Sequence, residues 1–299
     1  MANIREIKDR INSIKDTQKI TNAMYLISST KLRKAKADLE KTEPYFFGMQ
    51  AMIERLQRHL PDIQNPYFDQ NNDIPESEKV YGYLVITADK GLAGAYNHNV
   101  LKRTEQEMGK HFNTRLFVVG ELGRQYFDVR GIPIEEQFQY TAQNPTLHRS
   151  RLITLRMLEL FMAKEIHELH IVYTVMVNQM EADVMIQQLL PLKNDQPQMA
   201  IPLGVVQEEF MLQPSPEAVI DAVIPNCTNG YIYSALVESF CAEQNARMMA
   251  MQAANKSANE ILHELSIKYN RVRQTMITQQ ITEVCAGAKA QKNKKKSRV

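Results

Sequence analysis

Tryptophan is absent from the 299 residues, and only three cysteines occur, Cys227, Cys241 and Cys285. They lie far apart and form no C-x-x-C pair. An odd number of cysteines without metal-ligand spacing argues for a reducing compartment. Long apolar runs are also missing. Stretches such as Leu84-Val85-Ile86 fall far short of the roughly 20 residues that span a bilayer. Met1-Ala2-Asn3-Ile4-Arg5-Glu6 carries charge from its fifth residue. It has neither the apolar core of a signal peptide nor the Arg/Ser-rich, acid-poor character of a transit segment. The expectation is a cytosolic protein, or one peripheral to a membrane; the lack of a transit segment favours a bacterial setting, and a mature organelle chain would read the same way.

What is present is ordinary globular composition, 44% hydrophobic and 23% charged, with 16 methionines. The net charge of +2 is unevenly placed. Residues 1–58 carry 12 Lys/Arg against 7 Asp/Glu, and residues 231–299 carry 11 against 5. The middle is acidic. Basic ends fit a partner with an acidic surface, phosphate or anionic lipid; a solvated helix face reads the same way.

Residues 1–58 read as one helix. Ile4, Ile7, Ile11 and Ile14 sit at heptad a and d spacing. Gln18, Thr21, Tyr25, Ser28, Leu32, Ala35 and Leu39 continue it, and a periodic run this long indicates a coiled coil. Pro44 is expected to bend or interrupt it. The polar block Gln18, Thr21, Ser28 is either an irregularity or a place where the seam meets a partner. A second long helix is expected over 231–290, after the breakers Pro225, Asn226 and Gly230. Met248, Met251, Asn255, Ala258, Leu262, Leu265, Tyr269, Val272 and Met276 hold one register in it. Each helix would be roughly 80–90 Å long. They can pair antiparallel, with left-handed supercoiling, if the middle folds back compactly. The tail, 291–299, is rich in lysine and is expected to be disordered.

The middle, 79–228, alternates strand and helix. Strands are expected at Val80–Thr87, Arg115–Val119 and His170–Val175, and helices at Asn97–His111, Glu121–Arg130 and His148–Glu165. That alternation predicts a parallel-leaning sheet covered on both faces. The proline-bearing stretch Pro61–Ser77 reads as the linker into this domain, and Pro214–Pro225 as a short helix leading out.

Candidate chemistry is thin. Gly91-Leu92-Ala93-Gly94 follows the first strand, where a phosphate loop would sit, but its G-x-x-G spacing fits a Gly-permitted turn better than a dinucleotide fingerprint. His167-Glu168-Leu169-His170 places its histidines three apart beside a strand, unlike the helical H-E-x-x-H of zinc proteases. Asp89 beside Lys90 is an acid or an ion pair. Met248-Met249-Ala250-Met251 reads as coiled-coil core in preference to a docking surface.

Several segments, in order, resemble the gamma subunit of F-type rotary ATP synthases over about residues 1–290. They are Arg5-Glu6-Ile7, Thr21-Asn22-Ala23-Met24, Lys31–Ala35, Asp89–Asn97, Glu243-Gln244-Asn245-Ala246-Arg247-Met248, Tyr269–Gln274 and Ile277–Val284 with Gly287-Ala288. The resemblance implies an α/β fold with a long antiparallel coiled coil: paired terminal helices and a small central Rossmann-like α/β domain. It implies a central rotor shaft that couples transmembrane ion flow to ATP synthesis or hydrolysis at the beta subunits. The shaft itself would hold no catalytic residue, cofactor or metal. Its partners would be the alpha and beta subunit ring, the epsilon subunit and the membrane ring of c subunits, with no nucleic acid and no small-molecule substrate. It would lie at the cytoplasmic side of the cell membrane. By the same resemblance Met24, Arg273, Gln274, Thr278 and Gln280 would touch the beta subunits. Gln280 departs from the family's usual Glu, and its neutral amide hydrogen-bonds without forming an ion pair. Two other classes compete with the shaft. An enzyme would need a phosphate loop or acid/base set in the α/β domain. A free scaffold or nucleic-acid binder would need base-stacking aromatics in its basic ends.

Overall fold

The computed structural model describes residues 4–59, 65–178, 181–192, 213 and 215–296; the side chains of residues 43, 46, 47, 50, 54–59 and 290–296 fall outside this description. The chain forms two compact units. One is Met1–Ile27 with Met249–Val299, and the other is Ser28–Met248. The terminal helices α1 (Ile4–His59) and α5 (Pro216–Lys296) contribute to both.

The Ser28–Met248 unit holds a four-stranded sheet in the order β2-β1-β3-β4. Its elements are β1 (Val80–Ile86), α2 (Tyr96–Met108), β2 (Asn113–Val119), α3 (Glu121–Val129), α4 (Leu147–Met162), β3 (Glu168–Met176) and β4 (Ala182–Leu190). β1 pairs parallel with β2 and with β3, and β4 runs antiparallel to β3. Period-2 alternation divides β1 between two cores. Tyr81, Tyr83 and Val85 join Leu116, Val118 and Val172 under Val100 and Leu101 of α2 and Phe127 of α3. Leu84 and Ile86 join Phe117, Leu169 and Ile171 under Ile153, Met157 and Phe161 of α4 and Ile220, Ile224 and Leu236 of α5. With both faces covered, the strands can be apolar almost throughout.

The three expected strands and three expected helices are all present, with ends shifted by a few residues. β4 was not expected. Ala182, Asp183, Gln187 and Gln188 have little strand propensity, and as an edge strand β4 needs only a partial apolar face. The expected linker is partly packed. Residues 61–64 lie outside the described residues, but a 3₁₀ turn at Pro66–Phe68 buries Tyr67 against Phe161, and Tyr67 accepts a hydrogen bond from Leu192 N at 2.8 Å.

Neither Pro44, expected to bend or interrupt its helix, nor Pro225, expected to precede one, interrupts the helix that contains it. α1 continues through Pro44 to His59. Pro44 and Glu40 are exposed, so the Glu40 carbonyl that loses its helical donor can turn to water. α5 starts at Pro216, not Tyr231, and runs through Pro225. Buried Ile220, Ile224 and Cys227 hold it on the sheet, and the Asn226 amide donates to the Ala222 carbonyl at 2.8 Å. Core packing here outweighs the cost of an internal proline. At the other end the backbone stays helical through Lys296, beyond the expected end near Ala290 and into the expected disordered tail. Lys, Ala and Gln are good helix formers and can extend a helix without packing it.

Candidate functional site

In the Met1–Ile27/Met249–Val299 unit the heptad register becomes a seam. Ile7 and Met251 are buried, and Ile4, Ile11, Ile14, Leu262, Leu265, Tyr269 and Val272 are half-buried. The polar block on α1 meets polar residues on α5. Gln18 Nε2 donates to Asn259 Oδ1 at 2.7 Å, and Thr21 Oγ1 donates to Asn255 Oδ1. The polar positions therefore match each other; a mismatched pairing would leave the half-buried Thr21 and Asn255 poorly satisfied, while Gln18 and Asn259, whose bond is exposed, could turn to water. These two bonds fix an antiparallel register. Carried along the helices, it sets Ile4, where α1 begins, opposite the turn of Val272.

Past Val272, α5 has no described α1 residue beside it. Met276, Ile277, Ile281 and Val284 are 44%, 43%, 58% and 72% exposed. Ile277, Ile281 and Val284 recur at i, i+4 and i+7, so they form one stripe. Arg273, Gln274, Thr278 and Gln280 all lie on this stretch and all are exposed. The Thr278 hydroxyl donates to the Gln274 carbonyl at 2.9 Å, and Gln279 Nε2 donates to Glu283 at 3.0 Å.

Met24 is not part of that group. It is half-buried on α1, opposite the region of Met251 in the same register, roughly 30 Å along the helix axis. Ile20 and Ile27 lie at i−4 and i+3 from it and are 63% and 56% exposed, with Leu26 beside them at 59%. Sequence reading passed over Ile20, Ile27, Ile277 and Ile281. The available signal was their apolar character away from the a and d positions. Two exposed apolar stripes on one helix pair are the kind of surface that marks a protein-binding site.

The Ser28–Met248 unit uses its sequence motifs for packing. The crevice beyond the carboxyl ends of β1 and β3 is where open α/β sheets bind ligands. Here Ala242 of α5 packs with Ala88, Ala93 and Tyr96, and Ser239 Oγ accepts from Thr174 N at 3.3 Å and bonds the Tyr96 hydroxyl at 2.8 Å. Burial pushes the Tyr96 hydroxyl pKa up. The Gly91–Gly94 loop turns through left-handed backbone at Leu92 and Gly94. Its carbonyls are held by Arg247, whose guanidinium donates to Lys90 O at 2.9 Å and Gly91 O at 3.1 Å. Arg247 also pairs with Glu243 at 2.6 Å, both side chains being buried. Burial pushes the Glu243 carboxyl up, and Arg247 opposes that shift. Asp89 forms no ion pair with Lys90. It accepts from Glu121 N at 3.0 Å, Ala142 N at 3.0 Å, Gln143 N at 3.1 Å and the Thr141 hydroxyl. The two histidines of the H-E-L-H stretch serve separate contacts: His167 Nδ1 accepts from Val80 N at 3.0 Å, and His170 pairs with Glu168 at 3.2 Å.

The ATP synthase family model matches residues 3–291. An ATP synthase gamma chain from Ruminiclostridium cellulolyticum is 40% identical over 96% of this chain and 98% of its own length. Another, from Acetivibrio thermocellus, is 39% identical over 98% of this chain and all of its own. The chain belongs to the ATP synthase gamma chain family. Among solved structures, a chain of the Euglena gracilis mitochondrial ATP synthase (OSCP/F1/c-ring, rotational state 3) shares the fold with a TM-score of 0.66. It is 16% identical and covers 96% of this chain and 94% of that one.

Against the gamma chain family, the segments that carry the resemblance fall into two sets. Asp89–Asn97 and Glu243–Met248 meet through Arg247 in the α/β unit. Thr21–Met24, Tyr269–Gln274 and Ile277–Val284 lie on the paired helices at separate levels; Thr21 bonds Asn255 across the seam, Tyr269 and Val272 are half-buried in it, and Ile277–Val284 face outward.

Proposed function

We propose that the chain is the central, non-catalytic shaft of a rotary ATP synthase. The observation that carries this is the exposed end of α5, which no described residue of α1 covers. Beyond Val272 it presents Ile277, Ile281 and Val284 outward together with Arg273, Gln274, Thr278 and Gln280. An apolar helix end of this kind gains by standing in a sleeve of other subunits, where the hydrophobic effect favours covering it. In this reading the sleeve is the alternating alpha and beta ring. Met24 with Ile20 and Ile27 forms a second, lower contact with the beta subunits. The α/β unit sits beside the epsilon subunit and the membrane ring of c subunits. No helix among the described residues is long and apolar enough to cross a membrane, and attachment to the cytoplasmic face of the cell membrane through those partners fits that.

The mechanism needs no acid or base from the shaft. A turning surface that contacts the three beta subunits unequally shifts each between conformations by its differential binding energy. Arg273 would supply charged hydrogen bonds to one beta subunit at a time. Gln280 would supply a neutral one. Ion flow would thus be coupled to ATP synthesis or hydrolysis by rotation alone.

The experiment is purification of the tagged chain from its own cell membranes, with ATPase assay and identification of what comes with it. Recovery with alpha and beta subunits and active hydrolysis is expected. Recovery alone, or with nucleic acid, would contradict the proposal.

A further inference from the structure

On the α/β unit, three helices line a half-open recess of about 570 Å³ that the shaft reading does not use. α1 contributes Lys41, Thr42 and Tyr45, α4 contributes Leu147, His148 and Arg151, and α5 contributes Asn226 and Asn229. The volume is in the range of small-molecule sites. Among the described residues that line it there is no carboxylate.

The polar groups are unequally engaged. Ser150 Oγ donates to Asn229 Oδ1 at 2.7 Å, which ties α4 to α5 and leaves the Asn229 amide N–H groups as donors. Among the described residues Lys41 pairs only with Asp38, at 3.9 Å, and its side chain is 76% exposed. A pair that loose and wet holds little energy. Among the described residues, Arg151 and His148 have no ion-pair partner. Lysine, arginine and a donor amide thus converge from three elements, and among the described residues that line the recess none is an acid; the described carboxylate beside Lys41 is the loosely held Asp38. Tyr45 and Leu147, 60% and 44% exposed, add apolar surface on the same rim.

We propose that this recess is a binding site for a phosphate-bearing anion. Arg151 supplies a planar, bidentate donor fork suited to phosphate oxygens, and Lys41 a mobile point charge. The Asn229 amide supplies a neutral donor. Tyr45 and Leu147 provide a face against which a nucleoside or acyl moiety can pack. The phosphate can come from a soluble polyphosphate or nucleotide, or from a lipid headgroup.

Calorimetric titration of the full chain tests this, with pyrophosphate, ATP and phosphatidylglycerol vesicles as separate probes and sodium sulfate as the ionic control. Lys41→Gln and Arg151→Gln replace exposed side chains, and circular dichroism melting verifies that each variant stays folded. Saturable binding of pyrophosphate or ATP is expected, with affinity reduced roughly tenfold or more by Arg151→Gln and further by the double variant. Lys102→Gln on α2 should leave it unchanged. Binding confined to vesicles, and lost in the same variants, supports the site with lipid as its source. No binding at millimolar probe would overturn the proposal. So would binding matched by sulfate, or binding indifferent to both substitutions.

Discussion

Arg247 and Glu243, one turn apart on α5, form an ion pair at 2.6 Å with 9% and 4% of their side chains exposed. Because Arg247 also holds the Lys90 and Gly91 carbonyls, this pair fastens the loop after β1 to the long helix. Removing one partner of a buried pair leaves the other charge uncompensated, at a typical cost of about 3–5 kcal/mol. Arg247→Ala is therefore expected to lower the melting temperature of the full chain by many degrees. The double variant Glu243→Ala/Arg247→Ala should lose less than the single one, as thermal unfolding would register. Equal losses would mean that the loop contacts, not the buried charge, dominate.

Gly123 is held by space. A Cβ there would lie 2.5 Å from Thr87 Oγ1 and 2.7 Å from Val118 Cγ1. Thr87 Oγ1 accepts from Gly123 N at 3.1 Å, so the residues cannot separate without breaking that bond. Gly123→Ala should destabilise the α/β unit by about 1–3 kcal/mol, measurable by urea unfolding.

Acid should loosen the same unit. His111 stacks on Tyr81 with ring centroids 3.7 Å apart, and burial, aided by the nearby His170, lowers its pKa from the ordinary value of 6.5. The folded state therefore takes up this proton less readily than the unfolded chain. Stability is complete above the unfolded value and falls as pH drops through it toward the lower folded value. Melting curves between pH 7.5 and 5.5 should show this loss, and His111→Gln should flatten it. Glu168, whose carboxyl is held down by its bond to His170, adds a separate loss at lower pH, as it protonates.

At the seam, Thr21→Ala strands the Asn255 carbonyl oxygen and should cost about 1 kcal/mol. Thr21→Ala with Asn255→Ala should cost less than the two singles combined. In the lone chain, with so polar a stretch pairing the helices, the amides of residues 15–30 should exchange quickly. Full protection there would contradict the assignment of this stretch as a weak point.

How much of this was legible follows from which forces act locally. The heptad positions from Ile4 to Val272 were readable because period and burial coincide, and all of them are buried or half-buried. Met276 has the same spacing but is exposed, because no described residue of α1 lies beside it, and no local pattern records where a partner helix stands. β1 and β2 were legible as continuous apolar runs. β4 was not, since edge strands tolerate Gln and Asp. Pro225 misled because its local preference is to break a helix, whereas the burial of Ile220, Ile224 and Cys227 depends on a sheet distant in sequence. At the candidate site, the shared exposure of Arg273, Gln274, Thr278 and Gln280 fits the resemblance. The flanking Ile20, Ile27, Ile277 and Ile281 needed the structure, which alone shows that nothing in the described chain covers them.

Those stripes carry a functional prediction. Ile277→Asp with Ile281→Asp alters only exposed side chains, so the melting of the lone chain should change by no more than about 0.5 kcal/mol. ATPase activity and recovery of the complex with alpha and beta subunits should fall severalfold.

The most direct test of the shaft is to watch it turn. The chain is assembled with alpha and beta subunits fixed to a surface, and a bead is attached through Phe112→Cys, at a position 83% exposed, after Cys285→Ala removes the exposed native thiol. With ATP, the bead should rotate in one direction in steps. A bead that stays still or merely jitters, while the same assembly hydrolyses ATP, would contradict the account.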